Sequence, residues 1–385
     1  MNTIQHINSP YKNTKKWFWL LSVIYPAISL PAIYFHYETN NALWLFYPFF
    51  ITYFLTPILD TLIGEDSNNP PLEIIPKLEK EKYYRLLTFL TIPIHYIVFL
   101  VSASYAAMQP LNWWEFLLVA SSAGLASGLA INTGHELGHK KSRLERNLAK
   151  IVLAVPAYGH FTIEHNRGHH SLVSTPQDAA SAKMGENIYA FACREMPDSF
   201  KNAIKIENKR LNRLNKSFWT KDNQILQSMG LTLILQGGLI VLFGALMIPF
   251  LLIHNLFAWW QLTSANYVEH YGLLRKKSSN GRYEHCKPHH SWNSNFLLSN
   301  LHLFHLQRHS DHHAHPTRRY QALRSYDGLP SLPNGYLGCY ILAYIPWAWF
   351  YVMDKRLLNL KHINGDFSKI NIHPKKKDSL VAKYS

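Results

Sequence analysis

Apolar residues in this chain fall in long runs, and the charges collect between the runs. A helix needs about 20 consecutive apolar residues to cross a bilayer core. Residues 17–37 (WFWLLSVIYPAISLPAIYFHY) and 43–63 (LWLFYPFFITYFLTPILDTLI) meet that length, as do 85–108, 114–134, 226–246 and 247–266. Trp and Tyr gather near several of these ends, at the depth of an interfacial belt. The first run is too long for a removable signal peptide and lacks a small-residue cleavage site, so it reads as a signal anchor. The pattern predicts an all-α integral membrane protein: six transmembrane helices in one membrane-embedded domain over 1–385, with His-rich polar segments at 135–225 and 267–385 forming a helical cap.

Lys and Arg orient the spans. Lys12, Lys15 and Lys16 precede the first; Lys77, Lys80, Lys82 and Arg85 follow the second; Lys140, Lys141 and Arg143 follow the fourth; Arg275, Lys276 and Lys277 follow the sixth. The alternate connections (ETNNA, QPLNW and the turn near Pro249) carry neither. The positive-inside rule therefore puts both termini and the large loops in the cytoplasm. The apolar run 337–353 (LGCYILAYIPWAWFYVM) would send the basic tail outside if it spanned, so it reads as an interfacial or docked helix. The tail itself, HPKKKDSLVAKYS, is expected to fray.

A formal charge of +15 points to nucleic acid, anionic lipid or an acidic protein as partner. Cys193, Cys286 and Cys339 are far apart and form no C-x-x-C pair, which excludes a disulfide framework and a thiolate metal site.

The histidines change the picture most. Residues 135–139 read HELGH, which alone is the signature of a zinc peptidase. On a helix His135 and His139 share a face, so both rings can meet one ion. EHNRGHH adds His165, His169 and His170; QRHSDHH adds His309, His312 and His313; NYVEHYG adds His270 at the end of the sixth span. A catalytic zinc takes three protein ligands and a water. Nine imidazoles exceed one ion and suit two, and imidazole accepts Fe, Cu, Zn and Ni. Glu136, Glu164, Asp178, Glu269 and Asp311, with Asn300, sit within or beside these boxes and are candidates to accept N–H bonds from ligand rings. His285, His289, His290, His302 and His305 are assigned hydrogen-bonding or packing roles, and His36, His95, His160 and His254 no ligand role. Asp60, an ionisable residue inside the second span, and Thr52, about two turns above it, are candidates for a substrate channel.

The H-x3-H, H-x3-HH and H-x2-HH boxes around apolar helices resemble those of the integral-membrane diiron enzymes, which include acyl desaturases, sterol hydroxylases and hydrocarbon monooxygenases. NTGHELGHK, IEHNRGHH, WWQLTSANYVEHYGLLR, HHSWNSN and LQRHSDHHAHPTRRYQ, with LDTLIGEDSNNP and TPQDAASAKMGE, are similar to the alkane 1-monooxygenase family from about residue 15 to about residue 370. Arg167 and Ser171 are mild departures that replace no ligand. The resemblance implies two non-haem Fe ions on the nine histidines and a rubredoxin-dependent oxidoreductase (EC 1.14.15-type). It implies hydroxylation of the terminal methyl of n-alkanes by O2, with electrons from NAD(P)H through rubredoxin reductase and rubredoxin. It implies a multi-pass protein of the bacterial inner membrane, surrounded by lipid, with the diiron site facing the cytoplasm and no nucleic-acid partner. Rubredoxins are acidic, and Lys140, Lys141, Arg143, Arg308, Arg318, Arg319 and Arg324 are candidates for a steering face. The rival readings are an acyl-lipid desaturase or hydroxylase on the same metal site, an intramembrane zinc metallopeptidase built on HELGH, and a metal transporter or sensor with ligands along a pore.

Overall fold

A computed structural model describes residues 13–384; Lys12, counted above among the orienting cations, lies outside them. Five helices are long and apolar enough to cross a membrane: α1 (Trp17–Thr39), α2 (Ala42–Ile63), α3 (Lys82–Met108), α4 (Trp113–Gly138) and, after α5 (Arg143–Ala154) and α6 (Ile188–Arg213), α7 (Gln224–Phe243). The sixth expected span lies within α8 (Met247–His270), which is not among those five. The short helices α9 (Leu297–His302), α10 (His309–Ala314), α11 (Tyr336–Tyr344), α12 (Pro346–Leu358) and α13 (Lys377–Tyr384) complete the fold. Only isolated β-bridges occur among the described residues.

Helices α4 and α8 form the central pair, and small residues let them touch. A Cβ on Gly124 would lie 2.6 Å from the His254 carbonyl oxygen, and one on Gly128 only 2.5 Å from Gln261 Cβ. Side-chain hydrogen bonds link the pair and its neighbour: Ser127 Oγ meets His254 Nε2 at 2.8 Å, His254 Nδ1 meets Asn255 Oδ1 at 2.9 Å, and Asn255 and Gln236 exchange amide bonds. This polarity is what lowers the hydropathy of α8, and such bonds between apolar helices supply association that lipid-like surfaces cannot. Asn112 starts α4 with a reciprocal capping box to Glu115.

The apolar run at 337–353 is two helices broken at Ile345, and Cys339, Tyr340, Trp349 and Met353 pack into the largest core cluster. The expectation of a frayed tail is corrected. Residues 377–384 are helical, Leu380 enters that same core, and Tyr384 Oη donates to Asp354 Oδ2 at 3.0 Å. Leu380 and Tyr384, with the Lys376 Nζ bond to the Gly185 carbonyl at 2.9 Å, seat a basic segment whose composition alone reads as solvated.

Candidate metal centre

Three elements end at one place. His135 and His139 occupy the last turn of α4 and the residue that caps it, His270 is the last residue of α8, and α10 carries His309, His312 and His313. The remaining three histidines stand on a segment whose local winding matters. In an α-helix, residues five apart are about 140° apart around the axis. Residues His165–His169 instead form a π-helical turn, which adds a residue per turn. The wider turn brings His170 back beside His165, with their Nε2 atoms 3.1 Å apart, while His169 faces a different group.

The rings divide into two buried tetrads. His135, His139, His165 and His312 form one, and His169, His270, His309 and His313 the other, with the donor atoms of each within 4.8 Å of one another. His170 sits between them: its Nε2 is 3.2 Å from that of His312, and its ring centroid 4.5 Å from that of His313. His170 and His139 are the two of the nine that are only partly buried.

Whether these rings suit metal ions can be judged from their lone pairs. Nε2 atoms approach one another at 3.0 Å for His135 and His312, 3.1 Å for His270 and His309, and 3.0 Å for His313 and His309. With metal–imidazole bonds of about 2.0–2.1 Å, neighbouring donors on one ion lie roughly 3.0–3.4 Å apart. His169 meets Asp178 Oδ2 through Nδ1 at 2.9 Å, and His270 meets the His290 carbonyl oxygen through Nδ1 at 3.1 Å. Both rings therefore carry their proton on Nδ1 and turn a bare Nε2 inward. Nε2 of His139 and of His169 has no hydrogen-bond partner among the described residues. Burial and mutual proximity hold His165, His309, His312 and His313 well below the usual imidazole range, so they are neutral, the form that binds a metal. Burial presses His169 the same way, but Asp178 outweighs it and raises the ring. Converging neutral lone pairs repel unless a cation lies among them, so the donor set fits two metal ions.

The supporting residues expected from sequence separate sharply. Asp178 backs a ligand ring, and it also accepts Ser181 Oγ–H at 2.6 Å. Glu269 lies on the donor side, its Oε2 3.5 Å from His309 Nε2. Glu164 is buried with its carboxyl pushed up to about 8, by burial first and then by Asp178, and its Oε1 fills the space above Gly168. The other three expectations are corrected. Glu136 pairs with Lys140 Nζ at 2.9 Å and accepts the Tyr320 N–H, so it pins a loop. Asn300 donates to the Ser294 and Phe296 carbonyls. Asp311 accepts from Arg318, the Arg324 backbone and Tyr326. Sequence reasoning missed the backbone carbonyl of His290, which has no side-chain signature. It also missed Glu195, which is buried on α6 and accepts from Thr263, Ser199 and Asn266 behind the site. His305 keeps a packing role, bonding the Tyr320 carbonyl and meeting Trp19 edge-on.

The steering face expected from sequence is mostly spent. Lys140 is buried against Glu136, Arg308 is buried on the carbonyls of Leu323, Asp66 and Asn68, Arg318 pairs with Asp311, and Arg319 with Glu145. Lys141 and Arg143 remain exposed and Arg324 half-buried.

A narrow apolar cavity runs between the helices to the rings. Leu125, Ala126, Leu129, Ile131 and Leu262 line it, and His135, His165, His309 and Glu269 close its end. Its polar wall residues are turned into the protein: Tyr25 donates to Thr52 at 2.9 Å, Asn132 to the Leu303 carbonyl at 2.9 Å, and Gln261 accepts from Tyr53 at 2.8 Å. Thr52 belongs to this wall. Asp60 does not, correcting that expectation: it accepts the Ser299 N–H and lies under Gly335. A π-helical stretch at Ile51–Leu55 separates the two residues and removes the common face that α-helical phase assigns them.

Two tetrads also dispose of the peptidase reading. A zinc peptidase needs one ion and a free glutamate base, whereas Glu136 is committed to Lys140 and Tyr320.

Residues 111–350 match the fatty acid desaturase family. The chain is 53% identical to alkane 1-monooxygenase 1 of Alcanivorax borkumensis over 95% of its own length and 90% of that protein. It is 53% identical to alkane 1-monooxygenase of Pseudomonas putida over 97% and 92%, and 39% identical to that of Acinetobacter baylyi over 96% and 91%. With paired histidine tetrads at the foot of an apolar cavity and these similarities along nearly its whole length, the chain belongs to the alkane 1-monooxygenases, within the fatty acid desaturase family.

Proposed function

We propose that this protein hydroxylates the terminal methyl of n-alkanes to 1-alkanols. The reaction takes R–CH3, O2, two electrons and two protons to R–CH2OH and water. The observation that carries this reading is the cavity: an apolar passage that ends on the imidazoles. Two non-haem irons, held by His135, His139, His165 and His312 and by His169, His270, His309 and His313, with His170 between them, would supply the oxidising power that no side chain has.

The protein's own residues do the rest. The aliphatic wall takes up an insoluble chain and releases its hydration water, which is the driving force for binding. With its polar groups turned away, the wall gives the substrate no hydrogen bond to compete for, so orientation comes from shape, and the methyl meets the ring-lined end. Asp178 and the His290 carbonyl hold protons on Nδ1 of His169 and His270 and keep those Nε2 atoms aimed at the centre. Among the described residues no Lys or Arg lines the cavity, which disfavours a fatty acid or carrier-linked acyl chain, since either brings a charged end.

We place the chain as a single domain in a bacterial inner membrane, with α8 as a sixth span and the histidines facing the cytoplasm, as the distribution of Lys and Arg supports. Electrons come from NAD(P)H through rubredoxin reductase and rubredoxin. The test is metal content of the detergent-purified protein followed by octane, O2, rubredoxin, reductase and NADH. Two irons per chain and 1-octanol are expected; iron without alcohol from any alkane overturns the reading in favour of an acyl-lipid desaturase or hydroxylase.

A further inference from the structure

Each turnover of the proposed reaction consumes two electrons, yet the chain's three cysteines are free and scattered, so no thiolate cluster can be built from them. The reductant must touch the surface, and electron transfer weakens steeply with distance. The surface worth asking about is the one nearest the rings.

An open trough lies beside the ligand-bearing segments. Its floor includes Gly138, Thr162, Ile163, Asn166 and Arg167, residues that alternate along the chain with His139, His165 and His169. Asn166 Nδ2 donates to the Gly138 carbonyl at 3.1 Å, tying two ligand-bearing segments together beneath it. Six cations line the trough, Arg143, Arg146, Lys150, Arg167, Arg210 and Lys216, against one carboxylate, Asp222. Lys216 pairs with Asp222, and Arg210 with Glu207 beneath the surface. Arg143, Arg146, Lys150 and Arg167 form no close ion pair among the described residues, although the Glu207 carboxylate acts on Lys150 and Arg167 from beneath; Arg146 and Lys150 bond a carbonyl pair and an amide. Cations left unpaired in a concavity focus a positive field on whatever approaches. Lys140, Arg308, Arg318 and Arg319 of the face expected from sequence are taken up by their own partners, whereas Arg143, common to both, stands here beside Arg146, Lys150 and Arg167.

We propose that this trough is the docking surface for the acidic electron-donor protein, seating it one layer of side chains from the first tetrad. The inference rests on the reading above, in that a donor is needed at all. An anionic lipid headgroup would also meet the charge, but it has no need of the ligand-bearing segments that form the floor.

The test is direct binding of rubredoxin to the full chain in phosphatidylcholine nanodiscs, which does not depend on turnover. Arg143→Glu with Lys150→Glu should weaken the Kd by about tenfold or more at low ionic strength and flatten its salt dependence. A control with the same charge change elsewhere, Lys276→Glu with Lys277→Glu, should shift it by less than about twofold. Arg167→Gln alone should weaken binding in the same direction. In turnover, the trough variant should raise the KM for rubredoxin while kcat at saturating donor is kept. An unchanged Kd, equal weakening by both double variants, or no binding to the unaltered chain at low salt overturns the proposal. Absence of alkanol from the unaltered enzyme would sink the proposed reaction instead, and the binding comparison would still decide the docking surface.

Discussion

Removing the Asp178 carboxylate should loosen one metal ion and spare the other. Asp178 Oδ2 accepts His169 Nδ1–H at 2.9 Å and Ser181 Oγ–H at 2.6 Å, and Oδ1 accepts the Ala180 N–H at 3.2 Å. A hydrogen bond to a charged group contributes about 1.5–3 kcal/mol. Loss of a carboxylate behind a ligand histidine typically costs about 10–100-fold in metal affinity. That range corresponds to about 1.4–2.7 kcal/mol, so the two magnitudes agree. His169 belongs to the second tetrad only. A chelator titration of iron-loaded Asp178→Ala, followed by metal analysis, should therefore become biphasic, with one iron leaving at chelator concentrations about 10–100-fold lower. Asp178→Asn should do no better, because an amide N–H turned toward His169 forces the ring proton onto Nε2. Glu136→Gln is the matched comparison: that carboxylate touches no ring, so it should lower thermal stability and leave the chelator midpoint in place. A monophasic titration for Asp178→Ala, or loss of both irons together, would refute the assignment of His169 and the argument built on its tautomer.

Other outcomes follow from the same coordinates. Thr52→Trp places an indole in the cavity wall and should shorten the preferred alkane, read from products of a graded series of chain lengths; an unchanged profile would mean that the chain does not pass Thr52. Burial resists ionisation of Glu207, but its bonds with Arg210 and the Gln224 N–H outweigh this and hold it below the usual carboxylate range. Its stabilising contribution is then present above the unfolded value of about 4.3 and lost as pH falls through the lower folded value. Glu207→Gln should remove that component, so melting temperatures of the two proteins should converge toward low pH; parallel curves would contradict it. Leu380→Ala should cost about 2 kcal/mol or more and free the C-terminal helix to proteolysis before global unfolding, and unaltered cleavage would show that the helix is held by other contacts.

What the sequence determined by itself is periodic or compositional. Apolar runs of bilayer length marked, to within a few residues, the five helices long and apolar enough to cross a membrane, and imidazoles gathered by spacing marked nine candidate ligands. Both signals are local, since hydrophobic length and H-x3-H phase act within one helix. Tertiary structure decided what needs two segments at once. It separated Asp178, which reaches a ring, from Glu136, Asn300 and Asp311, which sit as near in the sequence but are taken by Lys140, loop carbonyls and Arg318. It withdrew Asp60 from the cavity and bent box two through a π-turn so that one run of six residues faces both tetrads. It also tied up Lys140, Arg308, Arg318 and Arg319 with partners and gathered Arg143 with Arg146, Lys150 and Arg167 in a trough that the packing of α5, box two, α6 and α7 creates. A carboxylate's role depends on which partner reaches it first, and a cation's on whether a carboxylate folds against it. Neither is encoded in spacing, because both are contacts between residues far apart in the chain.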